Sequence, residues 1–161
     1  MTSTETGLGI EAKSDAIYEL VEEGSTVERL ATGFTFTEGP IWMKSGDVLF
    51  SDPNANKIYK YAANGTLSVF KENSGYSGKD IAEYFQPGSI GLTLDSYGRL
   101  TINEHGNRRI VRLEKDEKIT VLADRFEGKR LNSPNDLVYR SDGTLFFSDP
   151  PFGLPKAYDD S

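Results

Sequence analysis

Three polar residues stand at the ends of apolar runs, and each could do chemistry. Glu38 in "TEGP" and Asn135 in "SPND" open such runs, and His105 in "NEHGN" follows one. A carboxylate at the head of a strand can bind a cation or move a proton, or simply sit on an exposed turn. An asparagine after proline commonly closes an Asx turn on its own backbone, and it can also hydrogen-bond a ligand. A lone histidine is more often a structural hydrogen bonder than a catalyst, and its ring can serve as either. Three further carboxylates, Asp52, Glu104 and Asp149, close the second run of what proves to be a repeat. Their recurrence argues for turn or inter-strand hydrogen bonding rather than catalysis.

The elements that must position these residues are short strands. Sixteen glycines and seven prolines interrupt the chain at short intervals, with β-branched and aromatic runs between them. That pattern predicts an all-β protein. Only "KSDAIYELVE" (13–22) has a helical period, and "GKDIAEYF" (78–85) has room for one or two helical turns. Three segments superpose without gaps: "EGPIWMKSGDVLFSD" from Glu38, "IGLTLDSYGRLTINE" from Ile90 and "NDLVYRSDGTLFFSD" from Asn135. Glycine falls at the ninth place of each, as Gly46, Gly98 and Gly143. The first two units continue with "NKIYKYAANGTLSVFKE" and "RRIVRLEKDEKITVLAD", which makes four strands per unit, the pattern of a β-propeller blade. In that architecture first strands line a central channel, so Glu38, Ile90 and Asn135 are expected to converge at its mouth. Residues 1–25 read as a lead-in with a short helix, and 26–161 as the blade-bearing region.

Composition removes several classes. The chain has 161 residues, a net charge of −7 and no cysteine. The acidic balance argues against binding nucleic acid, and the lack of cysteine excludes disulfides and thiolate metal sites. No apolar run reaches membrane-spanning or signal-peptide length, so a cytoplasmic protein without membrane attachment is expected. No nucleophile elbow, phosphate-binding loop or dinucleotide fingerprint occurs.

"FTEGPIW", "GLTLDSYGRLTINEHGNRR" and "ITVLADRFEGKRLNSPNDLVYRSDGTLFFSDPPFG" together resemble the senescence marker protein/gluconolactonase/luciferin-regenerating enzyme family, and most of all its bacterial gluconolactonases. The resemblance runs from about residue 26 to 158. It implies a six-bladed propeller of roughly twice this length, of which the chain supplies about the first three blades. It also implies hydrolysis of a lactone, typically a sugar lactone such as glucono-1,5-lactone, with one divalent metal at the channel mouth. Glu38 matches a metal ligand, and Asn135 matches an asparagine that contacts substrate and borders or joins the metal shell. The other ligands of the family, and the aspartate favoured as its general base, fall beyond residue 161. Ile90 departs from the pattern, since relatives carry asparagine there. It marks an altered substrate pocket or a weakened site; the alternative readings are a non-catalytic ligand- or protein-binding module and a hydrolase of the same family acting on a non-sugar lactone or ester.

Mixed carboxylate and amide oxygens suit calcium first, with magnesium or manganese close behind; zinc would prefer imidazole. His105, in the loop of the second repeat, becomes a candidate substrate contact. Phe152 of "PPFG" becomes either a wall for a sugar ring or part of an ordinary proline turn. Half a ring leaves strand edges unpaired. A separate C-terminal half is therefore expected to complete it, in preference to a homodimer of halves.

Overall fold

The computed structural model describes residues 8–155; residues 1–7 of the lead-in and 156–161 of the blade-bearing region lie outside the described residues. The chain divides into two compact units, 1–33 and 34–161. In the first, β1 (Leu8–Gly9) and β2 (Thr26–Val27) pair antiparallel. The helix expected over 13–22 shrinks to one 3-10 segment, Asp15–Glu19, capped by the Ser14 hydroxyl. None of its residues is buried, so no packed face sustains a longer α-helix.

The second unit is all-β. A first sheet takes β3 (Glu38–Trp42), β4 (Val48–Asp52), β5 (Lys57–Tyr61) and β6 (Leu67–Glu72) in chain order, every pair antiparallel. A second repeats the arrangement with β7 (Ser89–Leu94), β8 (Leu100–Glu104), β9 (Arg109–Leu113) and β10 (Ile119–Ala123). Between them, residues 78–85 form a single 3-10 turn at Ile81–Glu83. A small ribbon, β11 (Arg125–Phe126) with β12 (Lys129–Arg130), precedes the third sheet, where β13 (Leu137–Tyr139) pairs with β14 (Leu145–Phe147). β3 and β4 pack on β7, and β7 packs on β13, so the sheets follow one another around their first strands in a propeller-like succession.

The repeated glycine has a physical cause. Met43, Asp95 and Arg140 each donate a backbone bond to the carbonyl four residues on, closing the same turn three times. Gly46, Gly98 and Gly143 hold its left-handed position at φ 87, 75 and 87°, where a side chain would add strain. The core fills the gap between the first two sheets: Leu49, Ile58, Leu92, Leu100, Ile102 and Val111 are all buried there. Complete burial of such side chains stabilises by about 1.5–3 kcal/mol each.

Candidate functional site

The starts of β3 and β7 and the segment just before β13 lie side by side. A Cβ on Gly39 would sit 2.1 Å from the Ile90 carbonyl oxygen, and Gly39 also has φ +52°. Gly91 donates to the Asn135 carbonyl at 2.8 Å, and a Cβ there would approach that oxygen to 2.6 Å. Only glycine permits both approaches. The pairing of β3 with β4 and of β7 with β8 shifts register directly after Glu38 and Ser89, so each first strand begins with a bulge-like irregularity. Such irregularities re-aim the side chains at a strand end.

Glu38, Ile90 and Asn135 thus share one ledge. Glu38 is half-buried and its Oε2 accepts from the Gly39 amide at 3.2 Å. Asn135 is half-buried, with its backbone N–H donating to the Ser148 carbonyl at 2.9 Å. Ile90 between them is 3% exposed, so its side chain offers almost no surface to a ligand. It contributes backbone to the ledge.

Side chains from the ends of second strands hold the segments that lead to the ledge. Asp52 accepts from the Thr35, Phe36 and Ala55 amides, at 2.9, 3.3 and 3.2 Å, and so ties down the approach to Glu38. Asp149 does the same at Asn132, at 2.8 Å, ahead of Asn135. Glu104 instead binds Arg109 at 2.6 Å and Asn107 at 2.7 Å. The recurrent carboxylates are therefore architectural in the described contacts.

A second recurrent device escaped sequence reasoning. Asn56 and Arg108 occupy equivalent left-handed positions, φ 54 and 61°, in the turns after β4 and β8. Asn56 bonds Gly75 and Tyr76, on the way to Ile90; Arg108 Nε donates to the Leu131 carbonyl at 2.7 Å, on the way to Asn135. The one available signal was an asparagine at a repeat position, because asparagine tolerates that conformation.

His105 and Phe152 are brought together by a different route. His105 Nδ1 lies 3.1 Å from the Gln86 carbonyl, and a Cβ on Gly153 would meet its ring at 2.5 Å. The Pro150–Leu154 loop is folded onto the ring, with Gly153 donating to Ser133 Oγ at 2.9 Å. His105 has no accessible surface, so in this conformation it touches no ligand. Burial pushes its pKa down to about 4, only partly offset by the Gln86 bond. Phe152, beside Gly153, is 48% exposed and free to form a wall. The insertion 73–88 is also tied down: the Tyr76 and Tyr84 rings meet at a 35° tilt with centroids 4.3 Å apart, and Tyr76 bonds Asp80.

As a metal site, the ledge offers one carboxylate and one side-chain amide. Their oxygen chemistry fits a hard cation, which takes six or more such ligands in the case of calcium. Among the described residues no group of three or more His, Cys, Asp or Glu side chains stands together to hold a metal. By themselves Glu38 and Asn135 could supply only part of such a shell. No described helix is long and apolar enough to cross a membrane.

The model of the SMP-30/gluconolactonase/LRE-like region matches residues 36–160. A gluconolactonase of Zymomonas mobilis is 35% identical over 138 residues, which are 84% of this chain and 39% of that protein. Among solved structures, the gluconolactonase XC5397 of Xanthomonas campestris aligns with TM-score 0.74 at 28% identity, over 96% of this chain and 50% of that one. Virginiamycin B lyase of Staphylococcus aureus, at 18% identity and TM-score 0.53 over 71% of this chain and 35% of that one, shares the fold. The chain spans about two-fifths to one half of the length of the gluconolactonases it matches.

Proposed function

The chain belongs to the SMP-30/gluconolactonase/LRE-like family, and from that premise we propose that its ledge is the first part of a lactone-hydrolysing site. The substrate class is a sugar lactone such as glucono-1,5-lactone. The observation that carries the reading is the convergence of Glu38 and Asn135, oxygen donors from different sheets, on one ledge built through Gly39 and Gly91. The sheets here are read as the first three of a six-bladed ring.

Glu38 and Asn135 would hold one divalent cation, calcium first among candidates, which when bound supplies a Lewis acid for the lactone carbonyl and an acidified water. Asn135 would also orient the substrate by hydrogen bonds from its amide. Ile90 would place a bulky apolar group behind the ledge, where it trims the pocket without donating or accepting. Phe152 would present an aromatic face to the sugar ring. The base that takes the proton from water is assigned to the remaining part of the ring, supplied by a C-terminal half as a separate chain, with a second copy of this chain as the other candidate.

Acid release from glucono-1,5-lactone, measured on the native particle before and after chelation, tests the reading. Hydrolysis above the spontaneous rate that falls with chelator and returns with calcium supports it. Hydrolysis indifferent to chelator removes the metal, and no hydrolysis favours the binding-module alternative to which the apolar Ile90 already points. Native mass spectrometry of the same sample shows whether a second, different chain is present.

A further inference from the structure

Alternation along β8 sends its side chains into two different seams. Leu100 and Ile102 face the first sheet, where they join Leu49 and Ile58 in the core. Thr101 faces the other way, and its hydroxyl lies 3.0 Å from the Tyr139 hydroxyl on β13. By the period of two, Asn103 points the same way as Thr101, and the His105 ring, in the turn that follows, lies against Gly153 of the Pro150–Leu154 loop. Ile110 stands opposite Asn103 in the sheet, Leu137 and Leu154 are buried, and the buried Ser133 hydroxyl is taken up by Pro150 and Gly153 of the Pro150–Leu154 loop.

Asn103 and His105 both have 0% accessible surface. Neither side-chain atom of Asn103 has a hydrogen-bond partner among the described residues, and neither has His105 Nε2. Each buried polar group left in that condition costs about 1–3 kcal/mol, more than a marginally stable domain leaves uncompensated at three atoms together. A carbonyl can only accept, so the Gln86 bond fixes the proton on Nδ1 and leaves Nε2 a bare lone pair. Burial keeps the ring neutral at ordinary pH. Asn103 and His105 therefore leave two acceptors, Asn103 Oδ1 and His105 Nε2, and one donor, Asn103 Nδ2; Asp149 Oδ1, directly before the loop, is a further buried acceptor without a partner among the described residues.

We infer that the seam between the second and third sheets binds internal water, held between Asn103 and His105 and sealed by the Pro150–Leu154 loop. Water fits because it can accept from Nδ2 and donate to Oδ1 and Nε2, whereas a cation would satisfy the acceptors and repel the donor. Asn103 near the end of β8 and His105 in the turn directly after it are both fully buried, and an internal water needs two to four polar partners of this kind. The Ser51–Ser74–Ser89 group in the first seam needs no such guest, because its hydroxyls bond one another at 2.9 and 3.0 Å.

Water-selective nuclear Overhauser spectroscopy on the isotopically labelled chain tests the inference. Long-lived water cross-peaks to the Asn103 side-chain amide protons and to the His105 ring are expected, with the imidazole nitrogens showing protonated Nδ1 and hydrogen-bonded, unprotonated Nε2. The folded Asn103→Leu variant is expected to lose the His105 cross-peak while keeping Nδ1 protonated. Absence of water cross-peaks in the wild type, or scalar coupling between Asn103 Nδ2 and His105 Nε2 marking a direct bond, overturns it. So does an unfolding midpoint that shifts when choline replaces sodium or potassium, which would mark a cation as the guest.

Discussion

Between the first and second sheets, three fully buried serines close on one another. Ser51 and Ser89 hydroxyls are 2.9 Å apart, and Ser89 bonds Ser74 at 3.0 Å through its hydroxyl and 3.1 Å through its amide. Between the second and third sheets, the same repeat buries Asn103 and His105 with three polar atoms lacking protein partners among the described residues. The buried apolar cluster lies in the first seam, and each seam has a glycine-mediated backbone approach at the ledge. The difference teaches that the repeat specifies strand and turn geometry, while the polar contents of each seam are solved locally. One seam is self-sufficient and the other depends on a guest.

The largest effect should come from the glycine approaches. Gly39→Ala would meet the Ile90 carbonyl at 2.1 Å in a left-handed conformation, and is expected to destabilise by about 4 kcal/mol or more, read by denaturant unfolding. Gly91→Ala meets the Asn135 oxygen and the Leu137 Cδ2 at 2.6 Å without an unfavourable φ, and should cost roughly half that. Equal losses would break the distinction between the two approaches.

Acid should act on the second seam. The folded pKa of His105, about 4, lies below the ordinary value of 6.5, so the unfolded chain takes up the proton first. Its contribution is full above pH 6.5 and is lost as pH falls toward 4, an effect of about 3 kcal/mol across that window. In His105→Phe this component of the pH dependence should vanish. A curve identical to that of the wild type would contradict the sealed position of the ring.

Smaller effects separate the polar groups themselves. Ser89→Ala removes the middle member of a closed group and should cost about 1–2 kcal/mol. Asn103→Leu buries an apolar group of similar volume where the amide stood, and that gain offsets most of the cost, about 1–3 kcal/mol, of leaving His105 Nε2 without its water, so the net change should be less than about 1 kcal/mol. Thermal unfolding of both variants sharpens the comparison, and it fails if Asn103→Leu costs more than Ser89→Ala.

How much of this was legible in the sequence depends on the range of the interaction. The strands and the three turns could be read because Gly46, Gly98 and Gly143 answer a local demand, a left-handed residue at a fixed offset. The ledge could be read only through the repeat, since Glu38, Ile90 and Asn135 are aligned by equivalence and not by proximity in sequence. The burial of His105 could not be read, because Gly153 and Gln86 reach it from distant segments. The same holds for Asn56 and Arg108, whose side chains bond backbone some 20 residues ahead. The helical period at 13–22 misled for the opposite reason, as an amphipathic pattern forms a long helix only when its apolar face is covered, and there none of the helical residues is buried.

The most direct measurement is the rate of glucono-1,5-lactone hydrolysis by the native particle carrying Glu38→Ala beside that of the wild type, with unfolding midpoints recorded for both. Loss of the half-buried carboxylate from the ledge should lower the rate by about 100-fold or more while leaving the midpoint nearly unchanged. A variant as fast as the wild type would contradict the assignment of the ledge as the site of hydrolysis.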